Sequence, residues 1–136
     1  MKPYFHKVQY YETDQMKITN HTNYIRFMEE ARSDYLEQIN WPYDKLEEAG
    51  VISPVVAVSC KYKKTTSYPD LIKIITSVSK VSRAKLTLSY TMTVAEELVC
   101  TAESSHCFLD DNGKIVDIKT KMPKFYQTLQ QLKKEA

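Results

Sequence analysis

Residues 85–94, KLTLSYTMTV, alternate without a break: Leu86, Leu88, Tyr90, Met92 and Val94 share one face, and threonine and serine fill the other. A period of two defines a strand with one covered face. This segment is the most regular of four long strand candidates in a row. PVVAVSCKYKK (54–64) places Val56, Val58, Cys60 and Tyr62 on one face, LIKIITSVSKV covers 71–81, and LVCTAESSHCFLD covers 98–110. The links between them are short: SYPD, three residues around Arg83, and a turn at Glu96-Glu97. Links of that length join antiparallel strands, because a parallel pair needs a crossover of a dozen residues or more. DDNG at 110–113 predicts a further hairpin, with Asn-Gly tolerating the positive φ of such turns, and a brief strand, KIVDI, returning from it.

Before this meander, aromatic-rich residues 4–12 (YFHKVQYYE) predict a first strand. Residues 22–39 predict one long helix, with Tyr24, Met28, Ala31, Tyr35 and Ile39 at steps of three and four. Phe27 and Leu36 widen that stripe, and Arg26, Glu29, Glu30, Asp34 and Glu37 form a solvated face. Pro42 ends the helix, a short connection runs to Gly50, and Pro123 opens a C-terminal helix carrying Phe125, Leu129 and Leu132. A helix inserted after the first strand must cover one face of the antiparallel sheet, giving a two-layer α+β domain. Strands of about ten residues, against a usual five or six, can curl around that helix in the arrangement called a hotdog.

At 136 residues the chain predicts a single domain over 1–136. A net charge of +2 with scattered lysines gives no footprint for nucleic acid. No apolar run approaches a membrane span, and Met1 leads into a polar strand, so the expected location is the cytoplasm. Cys60, Cys100 and Cys107 are odd in number and lack C-x-x-C spacing, which predicts free thiols on strands in a reducing compartment.

The chemistry concentrates in YYETDQMKITNHTNYIRFMEEAR, residues 10–32. Asp14 follows the first strand and His21 stands seven residues later at the helix start, with Asn20 as the expected N-cap. The first N–H groups of a helix have no intrahelical partners, and the dipole concentrates positive potential there. Such an end can hold an oxyanion, while a nearby aspartate activates water or attacks a carbonyl itself. The same residue types also serve simply as turn and cap formers. His6 and His106 fall on strands and are expected to be structural or surface residues. No nucleophile elbow, Cys-His signature, phosphate-binding loop or metal-ligand cluster occurs.

The same segment resembles the signature of the 4-hydroxybenzoyl-CoA thioesterase-like hotdog family, a group of small bacterial acyl-CoA thioesterases. The resemblance lies in an aromatic-rich strand, Thr-Asp, and His-x-Asn-Tyr opening a helix that ends in Glu-x-Ala-Arg. LEEAGVISPVVAVSCKYKKTTSYPD and VSRAKLTLSY also resemble the family's central strands. It implies that Asp14 is the nucleophile or general base, and that the His21 backbone N–H faces the thioester carbonyl, with its imidazole assisting. It further implies Tyr10 as an accessory catalytic residue and Tyr24 as a pocket wall. Two positions depart from the pattern: Lys17 stands where the family usually has glycine, and Asn20 where it often has an aromatic.

The resemblance implies hydrolysis of acyl-CoA, with no cofactor or metal required, and a homodimer or homotetramer built on an open sheet edge with a shared pocket. Lys63, Lys64 and Arg83, at strand ends, are candidates to pair with the CoA phosphates. Rival readings are an acyl carrier protein thioesterase with the same residues, and an acyl-binding protein without activity. A hotdog dehydratase, with its acid on the helix at Glu29 or Glu30, is a further rival.

Overall fold

The computed structural model describes residues 1–135. Strand β1 (Tyr4–Lys7) and a 3-10 turn (Tyr10–Glu12) precede helix α1 (Asn23–Gln38) and a one-and-a-half-turn helix α2 (Tyr43–Glu48). Strands β2 (Val55–Tyr62), β3 (Leu71–Val81), β4 (Lys85–Val94) and β5 (Glu97–Cys107) follow, then α3 (Ile118–Lys121) and α4 (Pro123–Glu135). The five strands form one antiparallel sheet in the order β1-β3-β4-β5-β2. This is the α+β hotdog arrangement expected from the sequence.

The unbroken alternation of 85–94 fixes the core. Leu86, Leu88, Tyr90 and Met92 point at α1 together with Ile72, Ile74 and Val78 of β3 and Cys100 and Ala102 of β5. From the helix, Tyr24, Phe27, Met28, Ala31, Tyr35 and Leu36 are buried against them. Ala95 and Glu96 take φ of 49° and 69° to close the β4–β5 hairpin, one residue earlier than the turn read from the acidic pair. All three cysteines are free thiols.

The structure departs from the sequence reading at several boundaries. The first strand stops at Lys7: the Glu12 carboxylate accepts the Gln9 N–H at 2.8 Å and coils residues 10–12 out of the sheet. The expected connection before Gly50 contains α2. The strand expected at 114–118 reduces to a single bridge from Leu109 to Ile115, because Asp117 accepts the Lys119 and Thr120 N–H groups and starts α3. β2 occupies a sheet edge, so the apolar face expected in the core is bare in part: Val58 is 43% and Tyr62 48% exposed. Glu30 is not simply solvated, since it accepts from the Tyr4 hydroxyl at 2.8 Å and faces His6 at 3.1 Å.

Candidate active site

Asp14 stands on a tight hairpin between the 3-10 turn and α1. Thr13 and Thr19 bridge its base, the Asp14 N–H donates to Ile18 O at 2.9 Å, and the Lys17 N–H donates to Asp14 O at 2.9 Å. The Asp14 Oδ1 accepts the Met16 N–H at 2.8 Å, which locks the side chain over its own turn and leaves Oδ2 without a partner among the described residues. Lys17 closes the turn with φ of 66°, in the left-handed region that favours glycine. The missing glycine noted in the sequence is thus a backbone requirement met here by a lysine.

The N-cap falls on Thr22, two residues later than expected, and the turn ahead of it is capped by Asn20. Its Oδ1 accepts from the Thr22 N–H at 3.0 Å and the Thr22 hydroxyl at 2.8 Å, its carbonyl takes the Asn23 N–H, and α1 itself begins at Asn23. The Tyr24 N–H donates to His21 O. Of the N–H groups from His21 to Tyr24, that of His21 alone has no acceptor among the described residues. It is a free donor at the positive end of a sixteen-residue helix.

Two hollows flank the hairpin. One, of about 680 Å³, is lined by Tyr10, Thr13, Asp14, Gln15, Lys17 and Tyr68, and the two tyrosine rings meet edge-on at 5.9 Å. The other, of about 290 Å³, is lined by Ile18, Thr19, His21, Tyr24, Tyr62, Lys63, Lys64 and Thr65. There the Tyr62 ring stands edge-on to both Tyr24, at 5.2 Å, and His21, at 6.2 Å. Burial raises the Tyr24 phenol and pushes Tyr62 up to about 12, so both are neutral donors at physiological pH. Tyr24 Oη and Thr19 Oγ1 each bond the buried Thr66 hydroxyl, at 2.8 and 2.7 Å, pinning the second hollow's floor to the β2–β3 link.

The structure therefore groups Asp14 with Tyr10, and His21 with Tyr24, Lys63 and Lys64, with the hairpin between the groups. Lys64 pairs with Glu97 across the hairpin base of β5. Arg83 lies apart. Its guanidinium binds Asp117 at 2.7–2.8 Å and reaches Thr120 at 3.4 Å, and its carbonyl takes the Ile118 N–H. It sits beyond the opposite end of eleven-residue β3 from Tyr68, a separation of about 33 Å. A strand has two ends, and this arginine fastens α3 at the wrong one for the expected phosphate contact within this chain.

Sequence reasoning passed over Glu12, which is 1% exposed. Its Oε1 accepts from Gln9 N and faces His6 Nε2, both at 2.8 Å, and Oε2 pairs with Arg26. The i, i+3 spacing of Gln9 and Glu12 carries the signal, as a capping box around the 3-10 turn. His6, on a strand as expected, is structural rather than a surface residue. No group of three or more His, Cys, Asp or Glu placed to hold a metal ion occurs among the described residues.

A family model described as the thioesterase-like superfamily matches residues 8–131. A Bacillus subtilis protein, YneP, provisionally named as an acyl-CoA thioesterase, is 32% identical over 130 residues, 94% of each chain. An Aquifex aeolicus protein provisionally named as an esterase is 36% identical over 85% of this chain and 89% of its own. Among solved structures, a DHNA-CoA thioesterase from Staphylococcus aureus superposes with a TM-score of 0.92 at 28% identity, over 98% of this chain and 91% of that one. The chain belongs to the thioesterase-like superfamily and is, in class, a thioester hydrolase.

Proposed function

We propose that this protein hydrolyses acyl-CoA thioesters with Asp14 as its catalytic carboxylate and the His21 N–H as the oxyanion donor. The observation that carries the reading is the pairing, on one short segment, of a carboxylate with a free oxygen and a helix-start N–H with no acceptor. Water, deprotonated by Asp14 Oδ2, adds to the thioester carbonyl. The oxyanion is held at the His21 N–H, and collapse of the tetrahedral intermediate expels the CoA thiolate, which takes up a proton. Alternatively Oδ2 attacks the carbonyl directly and displaces the CoA thiolate, forming an anhydride that water cleaves. Single turnover in ¹⁸O-labelled water separates the two, since only direct attack first places unlabelled Asp14 oxygen in the acid. Tyr10 lines the Asp14 hollow, and Tyr24, Lys63 and Lys64 line the other, which supports assigning the two lysines to the CoA phosphates.

Because Asp14 and His21 of one chain line hollows on either side of one hairpin, we infer that a second copy of the chain closes the two into a single site, where both face one carbonyl. The bare edge strand β2, with Val55, Val56, Val58 and Tyr62 exposed, supplies the surface for a homodimer, and two dimers would make a tetramer. Light scattering should return two or four chains, and a stable monomer would count against a shared site. No helix among the described residues is long and apolar enough to cross a membrane, and three free thiols suit a reducing compartment such as the cytoplasm.

The decisive experiment compares wild type with Asp14→Asn across short, long and aromatic acyl-CoAs, with circular dichroism as the folding control. An amide can neither attack the carbonyl nor take a proton from water, so kcat should fall by at least about a hundredfold. Near-wild-type turnover in a folded Asp14→Asn protein would overturn the carboxylate mechanism. A wild type that binds acyl-CoA without hydrolysing it would favour the acyl-binding alternative.

A further inference from the structure

The hairpin and the turn before α1 are tied together by a residue two positions ahead of Asp14. The buried Glu12 carboxylate accepts from Gln9 N and is flanked by His6 of β1 and Arg26 of α1. Its backbone carbonyl accepts the Asn20 N–H at 2.8 Å and the Asn23 Nδ2 at 2.9 Å. Thus one residue connects the first strand, the 3-10 turn, both feet of the Asp14 hairpin and the first turn of α1. Its two side-chain partners are themselves held. His6 stacks on Phe27 with ring centroids 4.1 Å apart and turns Nδ1 to Glu30 at 3.1 Å, while Arg26 lies over the Tyr11 and Phe27 rings at about 6 Å.

Burying a carboxylate carries a desolvation penalty of several kcal/mol, and apolar groups of similar volume commonly hold a fold at least as well. What an ion cluster supplies instead is one fixed geometry, and here that geometry ends on the two segments carrying Asp14 and the free His21 N–H. We propose that Glu12, through His6 and Arg26, is a positioning residue that fixes the distance between the Asp14 carboxylate and the His21 N–H. The inference rests on the thioesterase reading of Asp14 given above. It adds a residue that touches no substrate.

The test is a double-mutant cycle of Glu12→Gln with Asp14→Asn, read by kinetics on the best acyl-CoA and by amide hydrogen exchange. A displacement of about 1 Å at a reacting group can cost a hundredfold in rate. Glu12→Gln should therefore lower kcat by at least about tenfold with KM changed by less than about threefold. In the Asp14→Asn background the same change should cost less than about threefold, because Glu12 then has no carboxylate left to position. Exchange should quicken in residues 13–22 and stay as in wild type across β3 and β4. Should Glu12→Gln not fold, Arg26→Gln, which alters a half-exposed partner, should show the same coupling with a kcat loss of at least about threefold. Equal losses with and without the Asp14 carboxylate, a loss confined to KM, or unchanged exchange in the hairpin would each overturn the proposal. These outcomes are separate from failure of the thioesterase reading, which would show as full turnover in Asp14→Asn alone, and the exchange measurement needs no activity.

Discussion

Glu12, packed beside α1, and Arg32, on α1 itself, are both buried, at 1% and 8% exposure, yet their surroundings are opposite. Glu12 has the Arg26 guanidinium, the His6 imidazole and a backbone N–H at its carboxylate. Arg32 has no ion-pair partner among the described residues. Its Nε donates to the Tyr43 hydroxyl at 2.7 Å and a terminal nitrogen reaches Tyr90 Oη at 3.3 Å. From Tyr90 the chain continues at 2.7 Å to the Ser104 hydroxyl and at 2.7 Å to His106 Nε2, where it stops with His106 Nδ1 buried and unpartnered. Beside the site, buried charge is matched and the geometry is pinned. Deeper in the core, a cation rests on neutral hydroxyls and an imidazole is left short of a partner. The first arrangement serves position, and the second is a liability of stability.

The largest expected effect comes from breaking the matched cluster. Glu12→Leu leaves the half-exposed Arg26 to solvent but deprives the Gln9 N–H and His6 Nε2 of their partner, and should cost about 3 kcal/mol in urea unfolding. Arg32→Met keeps length and volume while removing a charge that has no counter-ion, so its cost should stay under about 1 kcal/mol. Equal costs for the two substitutions would dissolve the contrast.

Acid should find the unmatched end next. Burial, and behind it the Arg32 guanidinium, lowers the His106 imidazole to about 4 from its usual 6.5. Its proton is therefore bound more tightly in the unfolded chain. The stability this contributes is complete above pH 6.5 and is lost as pH falls toward 4, by up to about 3 kcal/mol. His106→Asn should flatten that part of the pH–stability curve. In Arg32→Met the acid loss should shrink only in part, because burial is the larger cause. A curve unchanged by His106→Asn would assign the acid loss to other groups.

How much of this was legible in the sequence follows the same division. β3 and β4 have the ends read from their period of two, and the α1 stripe is buried as its spacing requires, because each residue there answers to a repeating local pattern. The family was also legible, through the residue types and their order in 10–32, and the superfamily model matches residues 8–131. Glu12 was not, since an acid beside Thr-Asp looks solvated until β1 and α1 close around it. Arg32 was read only as the last residue of the Glu-x-Ala-Arg run, and nothing local reveals that Tyr43 and Tyr90 converge on it from elsewhere in the chain. The hairpin that separates Asp14 from His21 depends on a left-handed residue, and the sequence offers a lysine in place of the usual signal.

That lysine gives the smallest effect and a direct check on the pinned end. Away from the site, positive φ falls to Gly50 and Gly113 among others, at 78° and 76°, where no Cβ is strained. At Lys17 a side chain occupies the same region, at roughly 1 kcal/mol for a non-glycine residue. Lys17→Gly removes that strain but loosens the unfolded chain by about 0.4–1 kcal/mol. The balance should be a gain below about 1 kcal/mol, or a rise in Tm of less than about 5 °C. Lys17→Ala keeps the strain and removes the same charge, so it should show no such gain and isolates the backbone term. If the Glu12 cluster rather than residue 17 sets the hairpin's shape, kcat in Lys17→Gly should stay within about threefold of wild type. A fall as large as that in Glu12→Gln would mean that the turn itself, and not its anchor, places the carboxylate.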